Sequence, residues 1–447
     1  MEAFSSQNSS IMKTRILILG AGKSATILVQ YLQQKAVENN WYIILADGDE
    51  LLAKNKWKNA KNGHPIGFDI QDKDLREKHI KEVDVVISML PATLHFLVAK
   101  DCLALFKPLF TASYVDDHLK ALAPEIEAKK LLFLCEMGLD PGIDHMSAME
   151  LIHRIQNKGG KITHFKSHCG GLIAPESDDN PWHYKISWNP RNIILAGKGG
   201  AIFLENGITK EIKYQNLFKN TSQVMIPNFG VLSYYPNRNS LSYIETYQLQ
   251  GIQNFERTTL RPTEFCSGWH TIIQIGLTDE TIIQRKETDT IKSWFDNHIL
   301  QNQLQTFYNE LLFDSILKKQ FDFLDFTADT IIPISLNTNA SILQWILETK
   351  WKLTDEDKDM VVMVHEMNYT LHNKEHKLIS SMVIKGNNSR NTSMAKTVGL
   401  PLAMSVCAYL KGEINLTGLY IPTHPIIYEP ILKNLANEGI VFEEIEL

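Results

Sequence analysis

The chain has 447 residues, 44% of them hydrophobic and 21% charged, with a formal net charge of -6. That length exceeds one ordinary core, so two or three domains are expected. The mild acidity and the lack of a basic cluster exclude a nucleic-acid surface, and no apolar run reaches the length of a bilayer span. Five scattered cysteines without a CxxC pair argue against a disulfide framework or a zinc site and for a reducing, cytoplasmic setting.

Residues 1–11 are polar and serine-rich, with no charged start before an apolar core; they read as a disordered extension, not a signal peptide. Arg15 to Leu19 is a short apolar run suited to a strand buried on both faces. It ends in Gly20-Ala21-Gly22-Lys23-Ser24-Ala25, and a helical pattern follows (Ile27, Leu28, Tyr31, Leu32). A second strand, Trp41 to Ala46, is closed by Asp47. Strand, glycine turn, helix, strand, acid is the context in which GxGxxA reads as a dinucleotide fingerprint. The glycines let the backbone approach a pyrophosphate, and the helix N-terminus brings N–H donors. Asp47 can accept from ribose hydroxyls and would repel a 2′-phosphate, which favours NAD over NADP.

Gly67 to Ile70 reads as a third strand with Asp69 near the adenine side, Val83 to Pro91 as a fourth, Pro108 to Ala112 as a fifth ending in Ser113-Tyr114, and Leu131 to Glu136 as a sixth. In an open parallel sheet, ligands bind beyond the carboxyl ends of the strands. Ser113-Tyr114 and Leu139-Asp140 fall there. Gly138 to His145 is a glycine-bent stretch carrying two aspartates and a histidine, and it joins this half to a helical pattern from Met146, with Asp144 as its expected N-cap.

Beyond Gly159-Gly160 the pattern is mixed. Thr163 to Cys169 alternates like a strand that stops at Gly170-Gly171, and several short strands are expected from about Tyr184 to residue 235. Residues 268–350 read as mostly helical, Asp359 to Glu366 and Lys377 to Ile384 as paired strands, and the last helix as starting near Ser393. Lys185, Arg191, Arg238, Arg257 and Arg261 sit beside Gly, Pro or polar loops; such arginines suit a substrate with more than one carboxylate. Tyr114, Asp140, Asp144, His145, His168 and Cys169 are the acid–base candidates. No HExxH-like metal pattern occurs.

At this point the motifs resemble a known family. Gly138-Leu139-Asp140-Pro141-Gly142-Ile143-Asp144-His145, Cys169-Gly170-Gly171, Asn180-Pro181, Tyr184-Lys185, Tyr235-Pro236-Asn237-Arg238 and Thr259-Leu260-Arg261 look like the L-glutamate-forming saccharopine dehydrogenases, also called saccharopine reductases. Met394-Ala395-Lys396-Thr397-Val398-Gly399-Leu400-Pro401 is similar to the enzyme domain of bifunctional lysine-degrading proteins.

The resemblance implies an α/β fold: a variant Rossmann parallel-sheet domain (12–145 and about 391–447), an α/β substrate domain with a mixed sheet (146–268 and about 352–390), and a mainly helical insert (269–351). It implies an oxidoreductase of lysine metabolism that uses NAD or NADP, without a metal, to interconvert saccharopine with L-glutamate and 2-aminoadipate 6-semialdehyde. The implied partner is a small amino-acid substrate, with no nucleic acid or membrane, and a homodimer is the candidate assembly.

On the cofactor side the implied residues are Ala21, Gly22, Lys23, Ser24, Asp47, Asp69, Ile70, Leu90 and Leu139, together with Gly20 of the fingerprint. On the substrate side they are Ser113, Tyr114, Asp140, Arg238, Thr258, Thr259 and Arg261, to which the arginine reading adds Arg191. Asp140 and Tyr114 are the catalytic candidates, with Cys169 a third. The chain departs from the family pattern at His168, Ile173, Asn239 and Thr258, and His168 is expected to add a titratable group near the site. The competing readings are a carboxyspermidine-type imine-reducing dehydrogenase and a non-catalytic dinucleotide sensor.

Overall fold

The computed structural model of the protein describes residues 14–58 and 60–447; the extension expected over residues 1–11 lies outside them. In chain order the elements are β1 (Arg15–Leu19), α1 (Ala25–Asn39), β2 (Tyr42–Asp47), α2 (Glu50–Trp57), β3 (Gly63–Gly67), α3 (Lys73–Lys81), β4 (Val85–Ser88), α4 (His95–Ala104), β5 (Leu109–Thr111), α5 (Asp117–Ala121), α6 (Ala123–Ala128), β6 (Leu132–Leu134) and α7 (Ile143–Asn157). There follow β7 (Lys161–Ile173), α8 (Arg191–Ile194), β8 (Ala201–Glu205), β9 (Ile208–Ile212), α9 (Tyr214–Leu217), β10 (Ser222–Ile226), β11 (Gly230–Pro236), β12 (Arg238–Asn239), α10 (Ser242–Thr246) and β13 (Asn254–Arg261). The remainder is α11 (Thr263–Gln274), α12 (Ile291–Gln301), α13 (Gln305–Leu311), α14 (Ser315–Leu324), α15 (Asn339–Lys350), β14 (Asp359–Leu371), β15 (Lys374–Lys385), α16 (Ser393–Leu410), β16 (Gly418–Tyr420), α17 (Pro425–Asn437) and β17 (Glu443–Glu446). Two compact units result: Met1–His145 with Ala395–Asn434, and Met146–Met394 with Leu435–Leu447.

The first unit holds a parallel sheet of order β16-β6-β5-β4-β1-β2-β3. β1 and β4 are near-continuous apolar runs because both of their faces are covered: Ile16, Leu17, Ile18, Val86 and Ile87 are all inaccessible to solvent. Each such side chain contributes roughly 1.5–3 kcal/mol of burial. The buried residues of α1 recur on one helical face (Leu28, Val29, Leu32, Ala36), and the helix stops at Asn40 in the left-handed conformation. Gly399 lets α16 close on α1, since a Cβ there would stand 2.8 Å from the Leu28 backbone nitrogen. α16 is long and apolar enough to cross a membrane by composition, but it is mostly buried within the protein.

The third strand lies earlier in the chain than its sequence pattern suggested, at Gly63–Gly67. Gly63 makes this pairing possible, because its φ is +152° and a Cβ would strike the Ile43 carbonyl. Asp69 and Ile70 therefore belong to the loop beyond the strand. α7 starts at Ile143, so Asp144 is in its first turn rather than at the N-cap, and its Oδ1 accepts the Gly142 N–H at 2.6 Å.

The second unit is built on a mixed sheet of order β10-β11-β13-β7-β14-β15-β17, with β8, β9 and β12 attached beside β13. β13 runs parallel to β7, and β14 pairs antiparallel with both β7 and β15. β7 does not stop at Gly170-Gly171. A Cβ at Gly170 would come within 2.7 Å of Leu260, so glycine here admits the neighbouring strand instead of making a turn.

Trp182, Tyr184 and Ile186 alternate as in a strand, yet among the described residues they make only one isolated bridge, Ile186 to Lys352. They are buried because they join the core of the helices α11 to α15, with Phe265, Trp269 and Trp351. The helices thus share their core with segments well before residue 269. The final helix is α17, not α16. β17 pairs with β15, so the C-terminal residues from Leu435 join the second unit.

Candidate active site

The glycine turn of the first unit follows β1. Gly20 has φ +106° and donates its N–H to the Ala46 carbonyl at 2.7 Å; a Cβ there would meet the Met89 carbonyl at 2.8 Å. Only glycine fits this close approach of β1, β2 and β4. A Cβ at Gly22 would meet nothing within 4 Å, so the turn presents open space ahead of α1. Ala21 is buried, while Lys23 and Ser24 lead into the helix N-terminus. These features fit a dinucleotide pyrophosphate.

Asp47, at the end of β2, holds the turn: its carboxylate accepts the Ala21 N–H at 2.7 Å and the Asp49 N–H at 2.9 Å. Lys56 reaches across from α2 to the Gly22 carbonyl (2.9 Å) and Thr26 Oγ1 (2.7 Å), and burial lowers its ammonium to about 8. Asp69 is exposed in the loop after β3, and Leu90 is half-buried just beyond β4. Leu139 is buried in the loop after β6. Asp47, Asp69, Leu90 and Leu139 lie at or just beyond the carboxyl ends of strands.

Ser113, Tyr114 and Asp140 come together in this same unit. Tyr114 donates its hydroxyl to Asp140 Oδ1 at 2.9 Å. The Asp140 loop is a tight knot: Gly138 donates to the Pro141 carbonyl, Ile143 to the Gly138 carbonyl, and the Asp140–Pro141 peptide is cis. Gly142 has φ +147°, and a Cβ there would lie 2.0 Å from the Gly138 oxygen.

Two residues that escaped the sequence reading hold this arrangement. Glu136, buried and with φ 56°, donates its N–H to the Ser113 carbonyl, accepts the Val115 N–H on Oε1 (3.0 Å), and meets His145 Nε2 with Oε2 (2.8 Å). It grips the chain on both sides of Tyr114. An acid at the end of the apolar run Leu131 to Cys135 was the one available signal. His145 is inaccessible to solvent and lies against Glu136 and Asp144, where it supports the loop. The other missed residue is His95, the first residue of α4, which bridges Ser88 Oγ (2.8 Å) and Ser113 Oγ (2.6 Å). Burial pushes its imidazole down to about 4. No motif marked it.

In the second unit, β13 and β7 run in register with Thr259 beside Cys169 and Thr258 beside His168. Successive strand residues face opposite sides, so Cys169, Thr259 and Arg261 share one face and His168 and Thr258 the other. Arg261 is buried, with its guanidinium 5.3 Å from the Tyr184 ring and 5.5 Å from Phe265. Its Nη1 donates to the Leu260 carbonyl, its Nε has no partner, and no carboxylate among the described residues pairs with it. A buried cation left in this state calls for an anion.

Three of the expected residues have partners of their own. The Thr258 hydroxyl is spent on His168 Nδ1 at 2.7 Å, on the face away from Cys169. His168 also meets Glu366 at 3.2 Å, and that hydrogen bond holds the Glu366 carboxyl down at about 2; the histidine adds no titratable group to the Cys169 face. Arg191 stands at the start of α8 and is paired with the Glu280 carboxylate at the surface, so its charge is already met. Arg238 is exposed on β12, in a left-handed conformation. Arg257 is buried against the Tyr243 ring, 4.4 Å away, and Lys185 is buried between Asp179 and Asp357. Among the described residues no group of three His, Cys, Asp or Glu side chains is arranged to hold a metal.

A 3-2-1-4-5-6 parallel sheet with a glycine turn after its first strand and an acid after its second defines a Rossmann-class protein that binds a nicotinamide dinucleotide. The chain belongs to the saccharopine dehydrogenase family. Residues 16–134 match the family described as the saccharopine dehydrogenase NADP binding domain, and residues 138–440 match the saccharopine dehydrogenase C-terminal domain. It is 30% identical over 458 residues to the saccharopine dehydrogenase (NADP(+), L-glutamate-forming) of Schizosaccharomyces pombe, covering 96% of this chain and 98% of that one. It is 31% identical over 476 residues to the alpha-aminoadipic semialdehyde synthase of Arabidopsis thaliana, covering 97% of this chain and 45% of the relative, so the chain spans less than half of that protein. The apo structure of the histidine-tagged saccharopine dehydrogenase (L-Glu forming) from Saccharomyces cerevisiae matches with a TM-score of 0.86 and 27% identity, over 97% of this chain and 100% of that one.

Proposed function

We propose that this chain is an NAD(P)-dependent oxidoreductase of lysine metabolism that interconverts saccharopine with L-glutamate and 2-aminoadipate 6-semialdehyde. The observation that carries the reading is the Tyr114–Asp140 hydrogen bond next to Ser113, at the carboxyl edge of the same sheet whose first strand carries the dinucleotide turn. Saccharopine presents one secondary amine and three carboxylates. It needs a base for the amine, and Asp140 supplies one.

The bound dinucleotide supplies the two-electron acceptor. Asp140 takes the proton from the substrate's protonated amine, which allows the adjacent C–H to leave as hydride and an imine to form. Asp140 passes that proton to solvent, and the Tyr114–Asp140 pair then takes the proton lost by the water that adds to the protonated imine carbon. The pair returns this proton to nitrogen, the carbinol O–H gives its proton back to Asp140 as the carbonyl forms and the C–N bond breaks, and glutamate and the semialdehyde depart. In the second unit, Arg261 is a buried cation suited to a carboxylate, and Cys169 and Thr259 share its face.

Asp47 supports NAD over NADP: its carboxylate is fixed at the end of β2 by two backbone donors, where a 2′-phosphate would meet like charge. Steady-state rates with saccharopine and each cofactor separately test this. The proposal expects a higher kcat/KM with NAD, and a preference for NADP would overturn the cofactor assignment. A parallel assay with carboxynorspermidine tests the polyamine alternative, and oxidation of that substrate in preference to saccharopine would replace the proposal.

A further inference from the structure

The chain Ser88–His95–Ser113 has a direction, and that direction sets what Ser113 can bind. Ser88 is buried at the end of β4, and among the described residues its hydroxyl has one hydrogen-bonding neighbour, His95 Nδ1 at 2.8 Å. A buried hydroxyl hydrogen needs an acceptor, so Ser88 donates and Nδ1 accepts. A neutral imidazole with an accepting Nδ1 carries its proton on Nε2. That N–H then points at Ser113 Oγ, 2.6 Å away. Ser113 is the acceptor in this contact, its own hydroxyl hydrogen is left over, and no other side chain among the described residues takes it. Ser113 is only half-buried, beside Tyr114.

We propose that His95 is a positioning residue which, locked by Ser88 as the Nε2–H tautomer, turns Ser113 into an outward hydrogen-bond donor for a carboxylate of the substrate. This rests on the substrate class proposed above and extends it: Ser113 recognises an anionic oxygen rather than the amine. The reverse tautomer would make Ser113 donate to His95 and present only lone pairs, which repel a carboxylate. Burial keeps the ring neutral at ordinary pH, so the relay does not become a fixed charge. Ser88 thereby affects substrate binding from a position buried in the sheet.

Two measurements test the proposal. The first is nitrogen NMR of the resting protein with labelled histidine, the His95 signal being assigned by its loss in His95→Gln. It should show protonated Nε2 and bare Nδ1; a protonated Nδ1 overturns the proposal whatever the enzyme turns over. The second is Ser88→Ala, which frees the tautomer without touching Ser113. KM for saccharopine should rise about tenfold or more, with kcat and cofactor Kd unchanged. An unchanged KM, or a loss confined to cofactor affinity, would overturn it, the latter placing Ser113 against the cofactor's carboxamide. Failure of the wild-type protein to oxidise saccharopine sinks the functional reading instead, and leaves the tautomer result standing on its own.

Discussion

Removal of one oxygen atom tests the acid–base assignment. In Tyr114→Phe the ring stays and the hydroxyl that donates to Asp140 Oδ1 at 2.9 Å is lost. A hydrogen bond to a charged group contributes about 1.5–3 kcal/mol, and each 1.4 kcal/mol is about a factor of ten in rate, so kcat should fall roughly 10- to 150-fold. The loss should appear in kcat and kcat/KM alike, because the bond matters most while a proton is moving. Asp140→Ala should cost more, since the base itself is gone. Neither change should weaken cofactor binding, because the glycine turn and Asp47 lie on other strands. The assay is saccharopine-dependent cofactor reduction, with cofactor Kd read by fluorescence titration. Full turnover in either variant would remove that residue from the chemistry.

Other outcomes follow from the same geometry. Arg191→Ala breaks an exposed pair with Glu280, so stability should change by no more than about 1 kcal/mol and KM for saccharopine should hold within about twofold; a tenfold rise in KM would return Arg191 to the site. Gly142→Ala forces a Cβ onto the Gly138 oxygen at a φ that L-residues avoid, and should destabilise the first unit by roughly 2–4 kcal/mol, read by thermal melting. His95 gives a pH dependence of definite sign. Its folded value of about 4 lies below the usual 6.5, so the unfolded chain binds the proton first, and stability present above pH 6.5 is lost as pH falls toward 4. Between pH 7 and 5 the first unit should lose roughly 2 kcal/mol, and His95→Gln should flatten that slope in denaturant titrations. An unchanged slope would mean that another group carries it.

The first unit was legible because its signals are local and redundant. An apolar run, a glycine turn, a helical stripe and an acid must occur in that order for β1, α1 and β2 to form at all, and the positions of Ser113 and Asp140 follow from the strand order. β3 was misplaced because its Gly-His-Pro-Ile-Gly sequence carries little apolar signal and pairs through a glycine at φ +152°. In the second unit the informative contacts are long-range. Thr258 reads as a member of an active loop, yet the strand pleat turns it to His168, whereas Thr259, one residue on, faces with Cys169. Trp182 to Ile186 alternates like a strand because every second side chain enters a helical core. Glu136 and His95 had no motif to mark them, and their importance arises only where the chain folds back on Ser113 and Val115.

The central claim is tested most directly by product stoichiometry. The purified protein is given saccharopine with NAD, and with NADP in a separate vessel, and glutamate and reduced cofactor are counted together. The account predicts one glutamate released for each cofactor reduced, faster with NAD, and abolished in Asp140→Ala. Lysine and 2-oxoglutarate in place of glutamate, or no reduction of either cofactor, would contradict it.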